Sequence, residues 1–350
     1  MIKTVSFTPR IVVFCAALLL APLQFVVGQE LTRKSNRGAA TASDVIKIPF
    51  ERYQLPNGLT VILSVDRATP TVAVDVWYHV GSKNEVVGRT GFAHLFEHVM
   101  FTGSANVPYG LHDKLTEGVG GNNNGSTTND RTNYYEIVPS NYLESAIWLE
   151  SDRMGWLLDT LDIAKLNAQR DIVKNERRQR VDNQPYGRVG EIVASTIYPK
   201  THPYSWPVIG SMEDLNAASL ADVKDWFKTY YGAANATLTI AGDVQADDVF
   251  ARVQKYFGWI PSGPPVAKHT AWVAKRTGTH RQRAQDRVPQ ARIYKVWNIP
   301  QYGTRAGTLL NLASDVLAQG KSSRFYKRLV YEDQIATDAS AVEAMPISHR

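Results

Sequence analysis

The chain has 350 residues, of which 44% are hydrophobic and 21% are charged, and this composition excludes a mostly disordered protein. The formal net charge of +6 is spread along the sequence without a Lys/Arg block. Because no nucleic-acid-binding motif accompanies that weak excess, we expect no nucleic-acid partner.

Residues 1–28 have the pattern of a secretory signal peptide. Lys3 and Arg10 precede an apolar run over residues 11–27, and Gly28 supplies the small residue of a cleavage site. We therefore expect a secreted or periplasmic protein. The alternative is an uncleaved segment that anchors the protein at a membrane.

A polar leader over residues 29–43 precedes a first predicted module at 44–262, which mixes strands with helices. The turn Pro56-Asn57-Gly58 predicts a hairpin between strands at 49–54 and 59–65. Further elements are predicted in chain order: a strand at 71–80, helices at 90–103, 109–118, 141–158, 162–182 and 218–231, a strand at Ala236–Ala241 and a helix at 245–257. This order predicts an α+β fold, in which helices pack in a layer on an antiparallel sheet.

A second, smaller module is predicted at 263–350. The sequence PSGPP at 261–265 is typical of a linker. Beyond it, Arg292–Trp297 predicts a strand and residues 305–318 predict a helix. The module ends without a closing element, so we expect a truncated copy of a larger domain.

The sequence TGFAHLFEHVMF at 90–101 carries the chemistry of the chain. His94 and His98 are one helical turn apart on one face, and Glu97 joins that face. The other side chains are almost all apolar, so this helix is predicted to be buried, where polar groups need a partner. A zinc ion (Zn²⁺) supplies that partner in the H-x-x-E-H pattern. The alternative is a chance arrangement of core histidines paired with a glutamate.

A catalytic zinc needs a third protein ligand, and Glu176 is the best candidate. On the predicted helix 162–182 it shares a face with Leu166, Gln169 and Val173, so it lies on the inward stripe. The alternative, from spacing alone, is an ordinary exposed carboxylate.

These motifs resemble the pitrilysin/insulinase family of zinc metallopeptidases with the inverted motif, over residues 45–345. The resemblance is carried by segments 77–104, 120–139, 149–154, 173–179, 202–211 and 230–243. It implies that His94, His98 and Glu176 bind zinc and that Glu97 is the general base, and the 77 residues between His98 and Glu176 match the family's distance. It also implies two similar α+β halves that close around a peptide.

The resemblance gives two further positions a role. Asn124 and Gly125 match the family's Asn-Ala pair, on a strand edge that binds the substrate main chain, whereas the residues alone predict a polar Gly/Asn loop at 120–135. Many family members have a second glutamate where this chain has Gln169. The amide can still form a hydrogen bond to a ligand or to water, but it cannot supply negative charge.

The sequence therefore predicts a zinc-dependent endopeptidase that acts on unfolded peptides, with Glu97 activating the zinc-bound water. The alternative is a non-catalytic binding or assembly subunit, although such subunits commonly lose part of the zinc motif. Because the family's opposite half supplies further substrate contacts, we expect either a C-terminal continuation or a related partner chain.

The remaining histidines and the large aromatic residues are interpreted as structural. His112, His202, His269 and His349 are not at ligand spacing from one another and are expected in structural or surface positions. Four aromatic residues are expected in the core: Tyr134, Tyr135, Trp148 and Trp156.

Overall fold

A six-stranded sheet organises residues 51–242, in a computed structural model that describes residues 47–268, 274, 278–301 and 303–342. The strands are β1 (Glu51–Gln54), β2 (Thr60–Val65), β3 (Thr71–Tyr78), β4 (Asn122–Thr127), β5 (Thr132–Pro139) and β6 (Ala236–Gly242). Their order in the sheet is β1-β2-β6-β3-β5-β4. All neighbours are antiparallel except β2 and β6, which are parallel. The prediction of an antiparallel sheet is therefore corrected at this pair, where the chain returns through a long helical crossover.

Nine α-helices lie within the described residues. They are α1 (Phe92–Val99), α2 (Leu111–Glu117), α3 (Leu143–Thr160), α4 (Ile163–Arg177), α5 (Val189–Ile197), α6 (Met212–Ala217), α7 (Leu220–Tyr230), α8 (Ala246–Phe257) and α9 (Arg305–Ala318). Every predicted helix is present, with ends that differ by a few residues, whereas α5 and α6 were not predicted. The predicted helix 162–182 ends as an α-helix at Arg177 and continues as a π-helical turn over Arg178–Asp182.

Alternating side chains of the central strands form the core. On β3, the buried residues are Val72, Val74, Val76 and Tyr78, which are at most 1% exposed. The same period of two on β6 buries Leu238 and Ile240. Helix α1 packs into this core through Phe92, Leu95, Phe96 and Val99. The apolar face of α1 is thus covered, which leaves its polar side chains on the opposite side.

The hairpin of β4 and β5 decides between two readings of residues 120–135. Asn122 pairs with Ile137 and Thr127 pairs with Thr132, so β4 is an edge strand of the sheet. The polar loop predicted from the residues alone is wrong, and the strand edge implied by the family resemblance is confirmed. Tertiary pairing with β5 overrides the low strand propensity of Asn and Gly.

The strand predicted at Arg292–Trp297 is wrong, because these described residues are not in any strand. Ile293 is 87% exposed and Trp297 is 72% exposed. A β-branched and aromatic run becomes a strand only where a neighbouring strand accepts its hydrogen bonds, and the described part of the chain offers none there.

The predicted signal peptide (1–28) and leader (29–43) lie outside the described residues. Among the residues that are described, no helix has the length and apolar character needed to cross a bilayer. The boundary between the two modules at 262/263 stays a prediction.

Candidate metal centre

The start of α1 is fixed by a buried carboxylate and by a glycine. Glu85 accepts hydrogen bonds from the amides of Gly91 (3.1 Å) and Ala93 (2.9 Å), so it satisfies amides that the helix itself leaves unpaired. Gly91 has φ = 85°, and a Cβ at this position would lie 2.8 Å from the carbonyl oxygen of Ile209. Any other residue would therefore strain the backbone and push away the segment at 209–210. These contacts set the direction in which the side chains of α1 point.

Three side chains of types that bind metals converge where α1 faces α4. The Nε2 atoms of His94 and His98 lie 3.7 Å and 3.2 Å from Oε2 of Glu176. The two imidazole rings are 4.9 Å apart and nearly perpendicular. The fold thus brings together the three residues that the sequence predicts as ligands, although 77 residues separate His98 from Glu176.

The geometry and the charge state of this cluster fit zinc. Ligand atoms about 2.0–2.2 Å from a tetrahedral zinc are about 3.3–3.6 Å from one another. The distances of 3.7 Å and 3.2 Å from the histidine Nε2 atoms to Glu176 Oε2 are close to this range. Burial lowers the pKa of His94 to about 4, with the His98 ring acting in the same direction, and burial also lowers the pKa of His98. Both rings are therefore neutral at pH 7, and neutral imidazole is the form that binds a metal. Nε2 is the His94 nitrogen that faces Glu176, whereas Nδ1 is buried without a hydrogen-bond partner.

Glu97 lies beside the cluster and is held by the edge strand. Its Oε2 accepts a hydrogen bond from the Thr127 hydroxyl, at the end of β4. Burial raises the pKa of Glu97 above its usual value, the Thr127 hydrogen bond opposes this, and the nearby Glu176 charge adds to it. A carboxylate in such a position accepts a proton more readily than an exposed one.

Thr127 and Arg180 contribute to the site and were missed by the sequence reasoning. Arg180 Nη1 lies 2.5 Å from Oε1 of Glu176, the carboxylate oxygen that does not face the histidines. Arg180 is four residues after Glu176, so helical spacing could have found it. No local spacing could have found Thr127, because it meets Glu97 through the packing of β4 on α1.

The other predicted site residues are Asn124 and Gly125 on β4 and Gln169 on α4. Asn124 is exposed on β4, and its Oδ1 accepts a hydrogen bond from the Gly125 amide at 2.8 Å. A Cβ on Gly125 would lie 3.1 Å from the Tyr134 ring and 3.2 Å from the Phe101 ring, so the backbone here runs close over the core. Gln169 is 8% exposed on α4, and within the described residues no hydrogen bond joins it to the three ligands. Its supporting role stays a prediction.

The histidines outside the zinc motif were interpreted as structural or surface residues. His112 lies against Glu136 and Glu150 in a second buried group, which is a structural position. His202 is buried against Tyr198, as expected of a structural residue. Two others, His269 and His349, lie outside the described residues.

The four aromatic residues expected in the core are buried to different degrees. Tyr134 is fully buried, whereas Tyr135 and Trp148 are half-buried. Trp156 is 39% exposed and packs against Trp259, so it is not a core residue. The alternation of β5 explains the first difference, because neighbouring residues on a strand point to opposite faces of the sheet.

Two family models match the chain. Residues 60–207 match the model described as Insulinase (Peptidase family M16), and residues 217–344 match the model described as Peptidase M16 inactive domain. The first match contains His94, Glu97, His98 and Glu176. The second begins just before α7 and includes α9.

Individual relatives agree with these models. The zinc protease PqqE of Helicobacter pylori is 31% identical over 293 residues, which are 83% of this chain and 65% of that protein. A probable mitochondrial-processing peptidase subunit beta of Arabidopsis thaliana is 26% identical, over 73% of this chain and 48% of the relative. The chain thus spans between about half and two thirds of the length of these relatives.

Among solved structures, the crystal structure of a protease from Helicobacter pylori superposes with a TM-score of 0.70 at 30% sequence identity. The match covers 83% of this chain and 70% of that one. The family match over residues 60–207 spans both α1 and α4, the helices that carry His94, His98 and Glu176. The chain belongs to the insulinase family of peptidases, M16, whose named members include zinc proteases.

Proposed function

We propose that the protein is a zinc-dependent endopeptidase that hydrolyses peptide bonds of unfolded peptides. The observation that carries this proposal is the convergence of His94 Nε2, His98 Nε2 and Glu176 Oε2 beside the carboxylate of Glu97. Zinc held by these three residues would leave one coordination position open, polarise a peptide carbonyl and lower the pKa of a water molecule.

Within this proposal, Glu97 moves the proton. It accepts the proton of the attacking water and passes it to the leaving amine. Its raised pKa favours the uptake of the proton from water, because a carboxylate with a higher pKa is a stronger base. The Thr127 hydroxyl restricts the carboxylate to one orientation by donating to Oε2.

The proposed substrate is a peptide in an extended conformation. β4 is an edge strand of the described sheet, so one side of its backbone pairs with no other strand. The Gly125 amide, which bonds to Oδ1 of Asn124, would exchange that partner for a peptide carbonyl. A peptide that adds to this edge would lie alongside residues 125–127. Because Thr127 bonds to Glu97, the peptide would come close to the Glu97 carboxylate. Folded proteins seldom offer such a free backbone, which favours unfolded segments as substrates.

Direct binding tests the edge strand. Replacing Gly125 with Pro should weaken binding of an unstructured peptide by at least about tenfold, because Pro removes a main-chain donor and blocks close approach. Zinc content should be unchanged, since Gly125 is not one of the three converging residues. Gly125→Ala is the matched control, because it keeps the amide and adds only a Cβ that Tyr134 and Phe101 must accommodate. Equal peptide affinity in Gly125→Pro and the parent protein would contradict the role of β4.

We further propose that the active unit contains a second family half, as a continuation of the chain or as a related partner chain. The chain spans 65% of its Helicobacter pylori relative, and another relative is named as one subunit of a processing peptidase. A half-site would bind zinc yet hold peptide poorly, because positioning provides much of the rate of an enzymatic reaction.

The signal-peptide pattern at 1–28 supports a secreted or periplasmic location.

Reconstitution tests this requirement. Residues 29–350 alone are expected to bind one zinc and to hydrolyse an unstructured peptide slowly. Addition of the continuation or the partner chain should raise kcat/KM by at least about 100-fold, within the range that correct positioning supplies. Full activity of the isolated chain, with no gain on addition, would contradict the second-half proposal while leaving the zinc site intact.

A second candidate function is that of a non-catalytic binding subunit. The observation that favours it is the match of residues 217–344 to a model described as an inactive domain. Analysis of bound metal together with peptide hydrolysis separates the two functions. Stoichiometric zinc with turnover supports the endopeptidase, whereas peptide binding without zinc or turnover supports the binding subunit.

A further inference from the structure

A second group of ionisable side chains is buried away from the zinc ligands, between α2, β5 and α3. It consists of His112, Glu136, Glu150 and Arg153. Glu136 and Glu150 are 0% exposed and Arg153 is 3% exposed. His112 Nε2 lies 2.6 Å from Oε2 of Glu136, and Arg153 forms an ion pair with Glu150. The proposed zinc chemistry uses none of these four residues.

The charges of this buried cluster do not balance without one more positive charge. Arg153 remains protonated at any ordinary pH and neutralises one carboxylate. The second carboxylate would then be an unpaired charge in the interior, which is strongly unfavourable. A single proton on the His112–Glu136 pair removes the imbalance, whether it resides on the ring or on the carboxyl group.

The surroundings supply no other compensating charge among the described residues. Tyr78 on β3 and Tyr134 on β5 face the cluster, and burial raises the pKa of both phenols well above the usual value, so they are neutral. Asp113 on α2 is the other charged group that acts on His112, and it adds negative charge. Burial raises the pKa of Glu136 to about 8 and that of Glu150 to about 7, with Arg153 opposing both shifts, while burial lowers the pKa of His112 to about 4.

The cluster also contacts the aromatic rings on which the edge strand β4 packs. The Arg153 guanidinium lies 4.7 Å from the centre of the Tyr134 ring and 5.1 Å from that of Phe101. These are the two rings over which the Gly125 backbone runs. Glu136 itself is on β5, the strand that pairs with β4. A change in this cluster therefore reaches the β4–β5 hairpin without passing through a zinc ligand.

We propose that His112, Glu136, Glu150 and Arg153 form a buried network that holds one shared proton at neutral pH and anchors the β4–β5 hairpin to α2 and α3. Loss of the proton leaves a net negative charge under the hairpin and loosens it. The consequence for peptide capture rests on the proposed function, whereas the proton and the anchoring do not. The β4–β5 hairpin would thus be less stable in alkaline solution.

A proton accounts for the cluster better than a second metal ion does. A divalent cation on His112, Glu136 and Glu150 would lie next to the guanidinium of Arg153, which already occupies Glu150. The repulsion between the two cations would offset much of the gain from coordination. A bound metal is therefore an outcome that the experiment must be able to detect.

The proton makes the stability of the protein depend on pH with a definite sign. Between the ordinary histidine value of 6.5 and about 8, the folded pair retains its proton and the unfolded chain does not. Folding then takes up a proton, so stability falls as the pH rises through this window. Glu85, whose pKa burial also raises to about 8, adds to the same trend, and only a comparison of variants isolates the cluster.

The test compares urea unfolding of the full chain with that of Glu136→Gln at several pH values from 6.5 to 8. The introduced amide is neutral and can donate to His112, so the variant needs no proton. The unfolding constant of the parent relative to the variant should rise about tenfold per pH unit. Glu150→Gln, which leaves Arg153 to pair with Glu136, should remove the same dependence and serves if the first variant does not fold. Glu117→Gln, an exposed change on α2, should keep the parent's behaviour.

Two further measurements complete the test, and neither depends on peptidase activity. Hydrogen exchange of β4 and β5 amides, corrected for intrinsic base catalysis, should lose protection from pH 7 to 8.5 in the parent and not in Glu136→Gln. Elemental analysis should find equal metal in both proteins. Identical pH dependence in the parent and both Gln variants, or unchanged hairpin protection, would overturn the proposal. Loss of one metal equivalent in Glu136→Gln alone would also overturn it and would assign the cluster to a cation instead.

Discussion

Replacing Glu97 with Gln is expected to lower hydrolysis of an unstructured peptide by at least about 100-fold, the usual scale for losing general acid–base catalysis. Gln has nearly the same size and can still bond to the Thr127 hydroxyl, but it cannot accept the proton of the attacking water. Zinc content should be unchanged, because Glu97 is not one of the three converging side chains. Steady-state hydrolysis of a fluorogenic peptide and metal analysis of the same samples measure both quantities.

Glu117→Gln is the matched control for this change. It makes the same chemical substitution at an exposed position on α2, and its activity should equal that of the parent. Activity of Glu97→Gln within a few-fold of the parent would refute the role of Glu97 as the base. Loss of zinc from Glu97→Gln would instead assign this residue to holding the metal site together.

Replacing Glu176 with Gln is expected to weaken zinc binding by about 100-fold or more and to abolish turnover. The neutral amide is a poor zinc ligand, and even the loss of an outer hydrogen-bond partner of a ligand typically costs about 10- to 100-fold in affinity. The change also removes the charge that Arg180 pairs with on the other carboxylate oxygen. Competition with a chromogenic chelator measures the affinity, and a peptide assay at saturating zinc measures the turnover.

Asp171→Asn is the control on the same helix. Asp171 is exposed and about one and a half turns before Glu176, so its loss should leave zinc affinity and turnover unchanged. Full zinc occupancy and full turnover of Glu176→Gln at low zinc concentration would mean that another residue is the third ligand.

The placement of His94, Glu97 and His98 was predictable because it follows from local helical spacing. His94, Glu97 and His98 share one face of a single helix, and the period of 3.6 residues places them together wherever the helix packs. The prediction of Glu176 also required the spacing known for the family, because an inward position on α4 does not by itself identify a ligand. The apolar neighbours on α1 predicted the burial that the structure shows.

The hairpin and the second cluster were not predictable in the same way. The polar sequence of β4 has low strand propensity, and only pairing with β5 makes it a strand. Glu136 occupies an inward position of β5 where alternation predicts an apolar residue. His112 and Arg153 reach it from two different helices, so no single sequence window contains the group. Contacts between distant segments carry this information, and local periodicity does not.

The composition of β4 has a consequence for self-association. All six residues of this edge strand, NNNGST, are polar or glycine. An open edge with apolar side chains would invite the sheet of a second molecule and could propagate into an aggregate. Here a second copy would gain backbone hydrogen bonds but would bury little apolar surface along the strand. The β4 edge can therefore remain unpaired without itself favouring lasting association between two copies of the chain.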